Sequence, residues 1–184
     1  VERITDFVSG IVDSRFPDLT DHHGGVAELA VNLAKQIGCS FEKASKLSIA
    51  ARAHDIGKLS ISEHILNKVS RLTHAEISHI RQHAELGYNL LTPLRLGTTI
   101  ENAVLHHHEN FDGSGYPGEL KGESIPLFAR ILRICDSFDA LTANRPYHQG
   151  ATHSDALTKL NDAARWYDPE LLKSFCGMMD GKGK

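Results

Sequence analysis

The sequence predicts an all-α domain, and three observations carry that prediction. Apolar residues recur at steps of three and four along most of the chain, helix caps and stops fall where those stripes begin and end, and no run alternates like a strand. The length, 184 residues, suits one domain, and 41% hydrophobic against 23% charged residues is enough to bury a core.

The elements follow in order. Val26, Leu29, Ala30, Leu33, Ala34 and Ile37 make one stripe, so a helix runs from His22 to Ile37 and stops at Gly38. Ser40 caps the next, which buries Ala44, Leu47 and Ala51 and ends near Gly57. Thr73 and Glu76 have the spacing of a capping box before Ile77 and Ile80. Ile100, Ala103 and Val104 set a stripe that continues onto His107 and His108. Residues 109–126 interrupt the pattern with Gly113, Gly115, Gly118, Gly122, Pro117 and Pro126, which predicts a long ordered loop or hairpin. Helix resumes over Leu127–Leu141, and a last pair covers Ser154–Trp166 and Pro169–Met179, the latter capped by Asp168 with Pro169 in its first turn.

Composition excludes several classes. Twenty Lys and Arg against 23 Asp and Glu leave a formal net charge of −3, which argues against a nucleic-acid coat, DNA binding or a polybasic membrane anchor. No stretch has the length of a membrane span, so direct membrane insertion is not expected, and the first residues carry no signal-peptide pattern. Cys39, Cys135 and Cys176 are odd in number and widely spaced, as core residues in a reducing compartment would be. The chain opens on Val, as a piece of a longer protein would.

Twelve histidines are more than a solvated surface needs. His22 extends the Val26 stripe, His54 and Asp55 follow Leu47 and Ala51, and His83 is three residues after Ile80. His107 and His108 continue the Ile100 stripe, and Asp136 falls four residues after Leu132. Core-directed polar groups on five helices are costly to bury unless they satisfy one another, and shared metal coordination does that. Imidazole and carboxylate without thiolate suits Fe, Mn, Zn, Co or Ni in a catalytic cluster, and this many ligands exceeds one ion. Two adjacent metals with a bridging water acidified to hydroxide are an apparatus for displacement at phosphorus.

His54-Asp55-Ile56-Gly57-Lys58 resembles the HD signature of HD-superfamily phosphohydrolases. His107-His108-Glu109 followed by Asp112-Gly113-Ser114-Gly115-Tyr116-Pro117 resembles the HHE…DGxGYP signature of the HD-GYP family. The likeness continues through Ile125-Pro126-Leu127, Ala129-Arg130-Ile131, Asp136 to Thr142, Arg145-Pro146-Tyr147 and Tyr167-Asp168-Pro169, so it covers most of the chain.

The resemblance implies an HD-superfamily helical bundle with a long Gly/Pro-rich GYP loop. Its domain would cover residues 16–180, between a linker or helix at 1–15 and a disordered tail at 181–184. It implies a metal-dependent phosphodiesterase that hydrolyses the bacterial second messenger cyclic di-GMP to pGpG and on to GMP. Metal ligands fall at His22, His54, Asp55, His83, His107, His108 and Asp136, with Asp55 bridging. Asp18 stands where members with a third ion carry Glu, so two or three divalent ions are expected, Fe or Mn first. Lys58 would hold a substrate phosphate or the leaving oxygen, with Asp139, Arg145, His148 and Tyr116 as further substrate contacts. His148 replaces the usual Lys or Arg, Gly24 and Gly25 stand where an Arg is common, and Phe111 stands where Trp is frequent. Expected partners are cyclic di-GMP or a related cyclic dinucleotide, a GGDEF-domain protein docking on residues 109–122, and a second copy of the chain in a homodimer. The expected setting is the cytoplasm, as the output domain of a larger bacterial signalling protein.

Alternative readings are a catalytically weak dinucleotide sensor or docking module, and an HD phosphohydrolase for another nucleotide, including mixed cyclic GMP-AMP. Taken alone, Lys58 also reads as a helix C-terminal cation. His23 and His106 lie off the apolar stripes and read as solvent-facing, His64, His74, His79 and His153 read as surface, and Trp166 and Tyr167 as core.

Overall fold

The computed structural model describes residues 10–11, 15, 22–143 and 149–181. These residues form helices and 3-10 turns and contain no strand. The helices are α1 (His22–Gln36), α2 (Phe41–Ala53), α3 (Glu63–Leu66), α4 (His74–Arg81), α5 (His83–Leu91), α6 (Thr98–His106), α7 (Leu127–Thr142), α8 (His153–Asp162) and α9 (Pro169–Gly181). None of them is long and apolar enough to cross a membrane.

The expected stops and caps are present. Gly38 ends α1 with φ 79°, and the chain closes there with Cys39 N–H on the Ala34 carbonyl at 2.9 Å and Gly38 N–H on that of Lys35 at 3.0 Å. Ser40 accepts from Lys43 N–H, Thr73 and Glu76 form the reciprocal capping box, and the Asp168 carboxylate accepts from Glu170 and Leu171 N–H. Gly181 is the last residue of α9 and not the start of a tail; residues 182–184 and most of 1–15 lie outside the described residues.

α1 sits at the centre, packed on α2 and on α7, with α9 also against it. Val26, Leu33, Leu47, Ile131, Leu132 and Phe175 are fully buried in the common core. Cys135 is buried, Cys39 and Cys176 are half-buried, and all three are free thiols. Tyr167 is buried and Trp166 half-buried against the same core.

Three helices differ from the sequence reading: the one expected over Ser154–Trp166 ends at Asp162, with Ala164–Trp166 a separate 3-10 turn, and two more depart nearer the histidines. α2 ends at Ala53 with His54 as its C-cap, and Ile56–Ser60 is a 3-10 turn and no continuation of the helix. The stripe from Ile77 and Ile80 to His83 is broken at Gln82, so α4 leaves Ile77 and Ile80 only half-buried while His83 opens α5. Packing explains the break, because α5 docks on the 56–60 turn at glycine distance. A Cβ on Gly57 would lie 1.9 Å from the His83 carbonyl oxygen and 2.5 Å from Gly87 N, so only glycine lets the two backbones meet. That contact brings His83 beside His54 and Asp55.

Candidate metal centre

Three of the histidines belong to helix ends and are held the same way. His54 Nδ1 lies 2.6 Å from the Ala51 carbonyl, His83 Nδ1 2.7 Å from that of Ile80, and His107 Nδ1 2.6 Å from that of Val104. Each carbonyl is in the last turn of a helix, where backbone acceptors lack an intrahelical donor. A carbonyl can only accept, so each Nδ1 carries the proton and each Nε2 presents a lone pair inward. That is the tautomer and orientation of a metal-ligating imidazole.

The inward atoms form two groups, each with its ligand atoms within 4.8 Å of one another: Asp55, His83, His107 and His108, and beside it His22, His54 and Asp136. Asp55 faces both, Oδ1 lying 3.4 Å from His83 Nε2 and Oδ2 3.6 Å from His54 Nε2. His22 Nε2 is 3.3 Å from Asp136 Oδ1, and His54 Nε2 is 3.8 Å from the same oxygen. All seven residues expected as ligands therefore converge. Of these, His108 and Asp136 are half-buried and the rest are buried.

The donor set fits divalent cations. His83 Nε2 and His107 Nε2 face each other at 3.2 Å although both are unprotonated, an arrangement that repels unless a cation lies against the pair. His54 Nε2 is buried without a hydrogen-bond partner among the described residues. Burial holds His107 well below the ordinary imidazole range, with His108 and His54 adding to it, and it lowers His83 against the pull of Asp55. Burial also takes His108 down to about 3. Burial would raise Asp55, but Lys58, His54 and His83 overcome it and keep the carboxylate ionised. Asp136 is lowered for the like reason, by His22 and His54 against burial. His22 is the exception: burial would lower it, yet Asp136 and Asp139 raise it to about 10, so a proton occupies the place a cation would take.

The remaining expected site residues are placed as follows. Lys58 Nζ lies 2.5 Å from Asp55 Oδ2 at the partly exposed edge of the centre, as a single positive charge beside that carboxylate. Asp139 Oδ2 accepts from His22 Nδ1 at 2.6 Å. The Tyr116 ring stacks on His108 with centroids 4.9 Å apart and planes at 26°, and the Arg81 guanidinium lies 5.0 Å from its centroid. Asp18, Arg145 and His148 lie outside the described residues.

Four residues lie differently from the sequence reading or carry no signal in it: His23, His106, Glu109 and His79. His23 is buried, with Nε2 4.0 Å from Asp55 Oδ2 and its ring 5.5 Å from that of His54. It faces inward because α1 is central and is packed on more than one side. His106 is half-buried and not solvent-facing, Nδ1 reaching the Glu109 carboxylate at 3.4 Å. Glu109 itself is buried and organises the loop, accepting from Gly118 N–H at 2.6 Å and Leu120 N–H at 3.1 Å. Periodicity carries no signal for it, because its partners are backbone amides of the loop. His64, His74 and His153 are exposed as expected, and His79 is half-buried.

Comparison with known proteins agrees with this geometry. The HD domain family profile matches residues 6–171. The cyclic di-GMP phosphodiesterase response regulator RpfG of Xanthomonas campestris pv. campestris is 39% identical over 153 residues, which is 80% of this chain and 40% of that protein. The 3'3'-cGAMP-specific phosphodiesterase 1 of Vibrio cholerae is 39% identical over 155 residues, 84% of this chain and 36% of that one. The chain thus spans less than half the length of these relatives. A solved HDG"Y"P protein from Bdellovibrio bacteriovorus superposes with a TM-score of 0.71 at 20% identity, covering 87% of this chain and 52% of the other, and shares the fold. A profile match along most of its length makes this chain a member of the HD domain family, and the HHE…DGSGYP run at 107–117 puts it in the HD-GYP branch.

Proposed function

We propose that this chain is the hydrolytic domain of a metal-dependent cyclic dinucleotide phosphodiesterase, with cyclic di-GMP as its substrate. The observation that carries the reading is the pair of abutting imidazole–carboxylate groups, with Asp55 facing both and Lys58 at their edge. When bound, two divalent ions, Fe or Mn foremost and Zn, Co or Ni as substitutes, would supply Lewis-acid charge to the phosphate oxygens and to the attacking water.

The chain's own residues do the rest. Asp55 and Asp136, held ionised, would supply the negative charge that balances the cations. The imidazoles of His83, His107 and His108 are lowered by desolvation in the centre, so they could act as ligands at neutral pH without first losing a proton. Lys58 is a compact cation that can leave Asp55 for a phosphate oxygen and stabilise the departing oxygen by a charge-assisted hydrogen bond. Arg145 and His148 are assigned to the outer phosphate, and Asp18 to a third ion. A GGDEF-domain partner docking on residues 109–122, and a cytoplasmic setting at the output end of a longer signalling protein, belong to the same reading.

A second substrate is favoured by a specific observation, since the 3'3'-cGAMP-specific relative is as similar to this chain as RpfG. The test is turnover of both dinucleotides by purified chain loaded with Mn2+ or, under low oxygen, Fe2+, with products separated by chromatography. Conversion of cyclic di-GMP to pGpG or GMP, lost on His54→Ala with Asp55→Ala, is the expected result. Faster conversion of the mixed dinucleotide would change the substrate, and a metal-filled protein that turns over neither would favour the sensor reading.

A further inference from the structure

His54, His83 and His107 are each held by a backbone carbonyl three residues earlier, so each is oriented by its own segment. His22 is held across the fold, by the Asp139 side chain on α7, at 2.6 Å. A carboxylate is a stronger acceptor than a carbonyl, and it makes the imidazole a more basic ligand. Asp139 is itself only partly exposed, and one turn along the helix from Asp136, so a single face of α7 supplies both partners of His22.

The Asp139 carboxylate reaches His22 through a gap left by Gly25. A Cβ at that position would lie 2.4 Å from Asp139 Oδ1 and 3.4 Å from its Cγ, whereas one on the adjacent Gly24 meets nothing within 4 Å. The atom in the way is the end of a side chain, so a methyl group at position 25 would displace the carboxylate without disturbing backbone.

We propose that Asp139 is a positioning residue for His22 and that Gly25 is the clearance it requires, so that His22 and Asp136 in one half of the centre are set from α7, whereas His83 and His107 in the other are each oriented by their own segment. This rests on the metal-holding reading above. It reassigns Asp139 from the substrate to the ligand shell, and it predicts that the two halves can be uncoupled.

The experiment is calorimetric titration of the metal-free chain with Mn2+, with thermal melting of each protein as a check on folding. The wild type should show at least two uptake steps. In Asp139→Asn and in Gly25→Ala one step should weaken by ~10–100-fold while another keeps its affinity. Because both changes act on one hydrogen bond, the double variant should be no weaker than the worse single one. Gly24→Ala should titrate like the wild type. Unchanged uptake in both single variants, equal weakening of every step, or full additivity in the double variant would overturn the proposal. A wild-type chain that takes up no Mn2+ would overturn the metal reading along with it, which separates the two failures.

Discussion

In the bundle, Val26, Leu33, Leu47, Ile131 and Phe175 are buried with no polar group to satisfy, whereas the loop over residues 109–126 buries a carboxylate and arranges its backbone around it. The bundle is held by apolar area, which is non-directional and spread over many residues. The loop is held by a few hydrogen bonds to Glu109, with Ser114 turned back onto Asp112 and the base tied by Arg133 to Asn110. Both regions end at the same place. The bundle delivers histidines at helix ends, and the loop lays Tyr116 over His108. The difference teaches that the ligands and their cover have separate supports, and so should fail separately.

Acid should produce the largest effect, because it acts where the two regions meet. In the metal-free protein His83, His107 and His108 are lowered in the fold, so below the ordinary imidazole range near pH 6.5 the unfolded chain takes up protons that the folded chain refuses. Stability should therefore fall with pH, by ~1.4 kcal/mol per pH unit for each such histidine. His22 has the opposite sign: its contribution is complete below pH 6.5 and is lost as pH rises through about 10. Asp55 and Asp136 add stability above about pH 4 that is lost on further acidification. Urea unfolding from pH 7 to pH 4, with and without Mn2+, checks this; a flat profile in the metal-free protein would remove the neutral-imidazole account.

Leu33→Ala tests the bundle alone. The side chain is fully buried, so the substitution should cost ~2–5 kcal/mol in urea unfolding, with Mn2+ uptake retained while the chain is folded. Loss of uptake in a folded Leu33→Ala chain would mean that scaffold and centre are not separable. Glu109→Gln tests the loop. It removes one acceptor oxygen and the charge, leaving a loop amide unpaired at ~1–3 kcal/mol. Hydrogen exchange should accelerate at Gly118 and Leu120 and hold in α1 and α7; acceleration throughout would show that the loop is part of the bundle's cooperative unit. The smallest expected effect is Gly24→Ala, which should raise stability by ~0.5–1 kcal/mol because a helical glycine with open space around it gains only from the substitution.

Read by itself, the sequence determined most of the longer helices, their caps and the identity of the converging ligands. These are local properties: Gly38, Ser40, Thr73 with Glu76, and Asp168 each act within a few residues of themselves, and His54 and His107 sit at the inner ends of readable stripes. The motif run added the family and with it the expectation of a shared bridging carboxylate. Tertiary packing is what buries His23, breaks the helix at Gln82 where α5 meets Gly57, makes Glu109 the loop's anchor and turns Asp139 to His22. Each of those depends on an atom beyond the residue's own helix, from the far side of the loop for Glu109 and from a distant part of the chain for the others. A helical period reports which side of a helix is apolar, but it cannot report how many sides are covered, or which remote group comes within hydrogen-bond reach.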